Sequence, residues 1–279
     1  MKTRHRIRGA VLALLLGCGL AQAELKPEWE LGAGLAGVDL PLYRGATERR
    51  TYLLPTPYVQ YRGEVLQVDR DRMRGLLYRG ERVELDISVN GSTPVSSKDS
   101  EARRDMPDLD PTVEVGPALK WHMYYDERKH TNLDLELPVR SVFAVNFGRF
   151  EQVGWLFHPK LSLDLKNVAQ SGWSLGLSAG WLYGDRAYHA YFYDVAPQYA
   201  TSTRPAYSAS GGAAGKQFIV SLGRRLGDMR LGAFVKWDDL SGAVFADSSL
   251  VTRQQAFSAG FIVAWVLSKS EKLVEVSDD

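Results

Sequence analysis

Apolar and polar residues alternate with a period of two along most of this chain. From Trp173 to Tyr183 the odd positions carry Trp173, Leu175, Leu177, Ala179, Trp181 and Tyr183, and the even ones Ser174, Gly176, Ser178 and Gly180. Successive side chains of a strand point to opposite faces, so this segment has one apolar face and one small, polar face. The split recurs in Val113, Val115, Leu119, Trp121 and Met123 against Glu114, Gly116, Lys120 and His122. It recurs in Leu133, Leu135, Leu137 and Val139 against Asp134, Glu136 and Arg140, and in Val153, Trp155, Phe157, Leu161, Leu163 and Leu165 against His158, Lys160, Ser162 and Asp164. Twelve such segments are expected, near 29–38, 51–61, 64–69, 72–79, 82–90, 112–124, 131–143, 151–165, 172–184, 216–225, 229–238 and 256–267. No long segment shows a helical stripe. The fold class is all-β.

Alternation alone fits a soluble sandwich as well as a membrane barrel. Three features favour the barrel. Aromatics stand toward the ends of the apolar face, as Trp173, Trp181 and Tyr183 do, where an interfacial girdle would lie. The polar faces mix Gly and Ser with charges of both signs, as a crowded lumen would. Connections at one end are long (39–50, 91–111, 185–215 and 239–255), and those at the other are mostly short. Two links on the long side, near Asp71 and near Asn146–Phe150, are short exceptions. The expected fold is a closed antiparallel transmembrane β-barrel of about twelve strands over residues 24–267, with a polar C-terminal tail over 268–279.

The first 23 residues carry a different pattern. Lys2, Arg4, Arg6 and Arg8 precede an uncharged, mostly apolar run from Gly9 that ends in Ala21-Gln22-Ala23. This is the layout of a cleaved secretory signal peptide over 1–23; a lipoprotein signal ending at Cys18 is the competing reading. Removing 23 residues from 279 leaves 256 and no cysteine, as suits an envelope protein. The whole chain has 34 basic and 33 acidic residues, which gives no electrostatic case for nucleic acid. No apolar run of 18 residues offers a transmembrane helix.

Candidate chemistry is sparse. Glu114, Lys120 and His122 share one strand face, and His158, Lys160 and Asp164 another. A proton relay on the wall is one reading; a network of paired lumen charges is the favoured one. There is no His-Glu-x-x-His and no paired cysteine. No catalytic residue, metal site or cofactor is expected. His189 is expected to be a solvated loop residue. The 97–110 segment, with Asp99, Glu101, Asp105, Asp108 and Asp110, lacks calcium-loop spacing and reads as a solvated loop, with attraction for cationic compounds as the alternative. Within the 185–215 connection Tyr191, Phe192, Tyr193, Tyr199 and Tyr207 put five aromatics beside Pro197 and Pro205, which suits a lid, a plug or packing on the rim.

These loop residues also carry a resemblance. Tyr193-Asp194-Val195-x-Pro197, then Arg204-Pro205-x-Tyr207-x-Ala209, then Gly212, resemble the MipA/OmpV family of Gram-negative outer-membrane proteins. Pro41-x-Tyr43-x-Gly45, Leu54-Pro55-x-Pro57, Leu85-Asp86-Ile87-Ser88 and Phe245-Ala246-Asp247-Ser248 agree in order along the chain. Tyr193, Asp194, Pro197, Arg204, Pro205, Tyr207 and Asp247 become candidate binding residues on this ground alone. The resemblance implies a non-enzymatic barrel in the outer membrane that scaffolds peptidoglycan synthesis. Its partners would be the lipid bilayer, a lytic transglycosylase and a peptidoglycan synthase. Some relatives are linked instead to envelope stress and antibiotics, so a barrel that binds or senses cationic or small compounds is the alternative.

Overall fold

The computed structural model describes residues 24–63, 66–68, 73–126 and 130–276. The expected signal peptide with Cys18, the link at Asp71, part of the 125–130 turn and the last three tail residues lie outside the described residues. The first strands are β1 (Glu24–Pro27), β2 (Trp29–Pro41), β3 (Arg49–Arg62), β4 (Leu66–Val68), β5 (Met73–Arg79) and β6 (Val83–Ser92). There follow β7 (Thr112–Asp126), β8 (Thr131–Asn146), β9 (Arg149–Phe157), β10 (Lys160–Leu165) and β11 (Trp173–Gly184). After helix α1 (Arg186–Tyr193) come β12 (Gly212–Leu226), β13 (Met229–Asp239), β14 (Gln255–Lys269) and β15 (Leu273–Val276). Among the described residues no helix is long and apolar enough to cross a membrane.

Antiparallel pairing runs through β11, β12, β13, β14, β2, β3, β4, β5, β6, β7 and β8. The interrupted strand β9–β10 lies between β8 and β11 and bonds to both. Pro159, without an N–H, marks the interruption. His158 N donates to the Pro138 carbonyl at 3.1 Å and Trp181 N to the Pro159 carbonyl at 3.0 Å, so the ladder holds across it. With β9 and β10 counted as one, twelve strands make this sheet among the described residues, β4 and β5 inside the 64–79 segment.

The two faces are inverted relative to a soluble sheet. Leu119, Val139, Leu161, Val235 and Phe261 on the outer face are 40–48 % exposed, while Glu114, Asp134, Glu136, Arg140 and Arg230 on the inner face are 2–8 % exposed. One stretch departs from the expected alternation. A bulge where Phe143 pairs with Gln152 and Val142 with Gly154 turns Val153 inward, so Val142, Ala144, Val153 and Leu156 form an apolar inner surface.

The long loops 42–48, 93–111, 185–211 and 240–254 gather at one end. The Phe147-Gly148 hairpin is the short exception there, with φ of 43° and 82°. Arg62 N donates to the Glu28 carbonyl, so even-numbered residues of β3 bond toward β2 and odd-numbered ones point away. Among the described residues, pairing on that far side is confined to Tyr61 and Arg62, and the nitrogens of Pro55 and Pro57 face it. The expected tail is also partly structured: β14 runs through Lys269, and Leu273–Val276 pair with Glu24–Pro27 as a separate two-stranded sheet.

Candidate functional site

The inner face and the long loops form two tiers, a cap with an aromatic centre over a charged wall. Helix α1 starts where Asp185 accepts hydrogen bonds from Tyr188 N at 2.8 Å and from Trp155 N at 3.1 Å, so its cap also ties it to β9. The approach is close enough to need glycine. A Cβ on Gly154, at φ 135°, would lie 2.3 Å from Tyr188 N, and one on Gly184 would lie 2.5 Å from His189 Nε2.

Tyr188, His189, Phe192 and Tyr193 then face the apolar surface of Val142, Val153, Leu156 and Leu182. Phe245, from the 240–254 loop, is fully buried and stacks on Tyr193 with ring centroids 3.7 Å apart. The remaining loops are bonded to this centre. Tyr193 Oη donates to the Arg44 carbonyl at 2.8 Å, Tyr43 Oη to the Leu250 carbonyl at 2.7 Å, and Ser248 Oγ to the Tyr193 carbonyl at 2.8 Å. Arg103 Nη1 donates to the Phe192 carbonyl at 2.9 Å.

Burial keeps the phenols and the imidazole at the centre of the cap uncharged. It pushes the Tyr188 and Tyr193 phenols well above their usual range, and raises Tyr191 to about 12 with help from the charge of Asp110. It lowers His189, against the pull of the Ser210 carbonyl. The neutral ring donates from Nδ1 to that carbonyl at 2.7 Å, and Nε2 has no hydrogen-bond partner. The expectation of a solvated His189 is therefore corrected: it is fully buried, because α1 folds inward rather than trailing over the rim.

Below the cap lie ion pairs. Asp238 takes Arg44 at 3.0 Å and Lys236 at 3.4 Å, and Arg140 Nε lies 2.9 Å from Glu114 Oε2, off the hydrogen-bond axis. Asp134 takes Lys120 at 3.0 Å and His122 Nδ1 at 2.9 Å; Glu136 takes Lys160 at 2.9 Å and Ser162 Oγ at 2.8 Å. The pairing expected for Glu114, Lys120 and His122 is present. The spacing Gly-x-Ser-x-Gly occurs twice, at Gly172–Gly176 and Gly176–Gly180, but along strand β11 rather than at the strand-to-helix turn a nucleophile needs. Neither serine hydroxyl bonds a histidine among the described residues. No group of three His, Cys, Asp or Glu residues suited to a metal occurs among them either.

The candidate binding residues meet in the cap. Tyr193 is buried; Asp194 accepts from Ala209 N at 2.6 Å; Pro197 opens a 3-10 turn over Pro197–Tyr199. Arg204 donates to the carbonyls of Tyr199, Ala102 and Arg104, which pins the 93–111 loop to the 185–211 loop. Tyr207 bridges to Val195 through both backbone groups, and Asp247 is near enough to act on its phenol. Pro205 is exposed. In the acidic loop, Asp99 pairs with Arg50, Glu101 with Arg104, Asp108 accepts from Ser97 N at 2.6 Å and Asp110 accepts from Asn146 at 3.0 Å. Arg44 and Phe245 are the residues sequence reasoning missed. Their only signal was their place inside the two outlying motifs.

Among solved structures, the NanC porin is similar with a TM-score of 0.41 and 8 % identity, over 84 % of this chain and 100 % of that one. Outer-membrane phospholipase A from Escherichia coli is similar with a TM-score of 0.32 and 11 % identity, over 86 % and 94 %. Comparison with curated protein sequences gives no match. The family model described as MltA-interacting protein MipA matches residues 31–267, and the chain belongs to the MipA family.

Proposed function

We propose that this protein is a closed, twelve-stranded barrel of the Gram-negative outer membrane, exported by a signal peptide over 1–23, that acts without catalysis as a scaffold for peptidoglycan synthesis. The observation that carries the membrane reading is the inversion of faces. A band of half-exposed Leu, Val, Phe and Trp surrounds buried ion pairs, and only a hydrocarbon solvent rewards that arrangement. Following the strand pairings from β8 through β9–β10 and onward returns to β8, which supports closure. The scaffold reading rests on the family and its description as MltA-interacting.

In this reading the short turns and the β1–β15 sheet face the periplasm and present the docking surface. Tyr193, Asp194, Pro197, Arg204, Pro205, Tyr207 and Asp247 hold the outer cap shut, and a ligand arriving there would have to displace it. Four of the five acids of the 97–110 loop, Asp99, Glu101, Asp108 and Asp110, already have a partner, which disfavours a surface for cationic compounds. The test is a pull-down from an envelope extract with the detergent-solubilised chain. Retention of a lytic transglycosylase together with a peptidoglycan synthase is expected. Retention of a labelled cationic peptide with neither enzyme would overturn the scaffold in favour of a sensing barrel.

A further inference from the structure

Among the described residues, charges on the inner face are broadly matched except at the short-turn end. There Glu30 alone takes two guanidiniums, Arg62 at 2.8 Å and Arg230 at 2.9 Å. Arg230 comes from β13 and reaches Glu30 over Ala264 and Gly34, the small inward residues between them in the sheet. A third guanidinium, Arg225, stands directly opposite Arg230 in the β12–β13 register. Its Nη2 donates to the neutral Gln60 Oε1 at 3.2 Å, and it forms no ion pair among the described residues. The charged groups that act on it are Glu30, Arg230 and Arg62. Of the described acids at this end, Glu28 is held by Lys272 at 2.6 Å, and Asp228 in the turn pairs with none of the three arginines.

Among the described residues, three guanidiniums around one carboxylate leave a surplus of two positive charges. Like charges placed directly opposite destabilise a sheet, so Arg225 has no account in fold stability. Its exposure also differs from that of its neighbours. Arg62 and Arg230 keep their side chains under 10 % exposed, whereas Arg225 is exposed at the mouth. Buried Arg230 Nε has no hydrogen-bond partner.

The geometry points to a binding site for a doubly charged oxyanion of the phosphate class, entering from the short-turn mouth. The planar fork of Arg225 would grip two oxygens, with Arg230 and Arg62 supplying charge from behind. One dianion cancels the surplus of two; a monocarboxylate cancels half of it. This site does not depend on the scaffold reading.

The test uses the full chain in detergent at low ionic strength, titrated with inorganic phosphate by calorimetry and followed by its unfolding temperature. Saturable binding at one site is expected, with a rise in the unfolding temperature. Arg225→Gln should weaken binding about tenfold or more and, without phosphate, should raise the unfolding temperature by relieving the Arg–Arg opposition. Arg225→Lys should keep part of the affinity. Arg224→Gln, on the outer face where Arg224 lies over Trp173, should change nothing in binding. The assignment is overturned if phosphate does not saturate the wild-type chain, if Arg225→Gln binds it equally well, or if acetate binds as tightly as phosphate.

Discussion

The two ends of the inner face are built from the same alternating strands and reach opposite results. Toward the long loops the inward positions are Val142, Ala144, Val153, Leu156 and Leu182, and a cap with an aromatic centre fills the space above them. Toward the short turns the inward positions are Glu30, Arg62, Arg225 and Arg230, and a cation is left facing the opening. Inward direction therefore does not decide polarity. What decides it is whether a loop returns to cover the position, since apolar side chains lower the free energy only where something dry packs on them.

Breaking the cap should produce the largest effect. Phe245→Ala removes a fully buried ring stacked on Tyr193 and should cost about 3–5 kcal/mol. Proteolysis of the 185–211 and 240–254 loops should then accelerate while the strands stay protected. Equal protection of both would mean the cap does not hang on this stack. Next in size is Leu177→Arg on the outer face of β11, which should cost roughly 2–4 kcal/mol near the bilayer midplane. The readout is the fraction of unboiled protein that keeps its fast migration on a denaturing gel, and an unchanged fraction would place Leu177 away from lipid.

The smallest expected effect comes from pH. Burial lowers His189 in the folded cap, while an undocked histidine titrates near pH 6.5. The undocked state thus binds more protons, so cap stability is complete above that pH and declines as pH falls through it. The difference in unfolding temperature between pH 8 and pH 5 should shrink in His189→Asn. No change in that difference would show that this imidazole stays neutral in both states.

Much of the architecture was legible because period-two alternation is a local property. Trp173 to Tyr183 and Leu133 to Val139 announce their faces without any knowledge of their neighbours. Val153 was misplaced because a bulge depends on how two strands slip past one another, and no single strand records that. His189 was misjudged for a similar reason: its burial needs α1, Phe245 and the Gly184 approach together. Of the site, the loop motifs were visible as residues but not as a bonded cap. The arginine cluster was invisible, since Glu30 and Arg230 lie 200 positions apart and only the sheet register unites them.

The edge of β3 has a consequence for how one copy of this protein meets another. A strand edge that offers alternating donors and acceptors is a template on which another chain can add a strand. Between Thr51 and Tyr58 the far side of β3 has no strand partner among the described residues, and two of its nitrogens belong to Pro55 and Pro57. A strand arriving there would find carbonyls but, at two successive bonding positions, no hydrogen to accept. Over Pro55 and Pro57 the edge is therefore a poor template for a strand from a second copy.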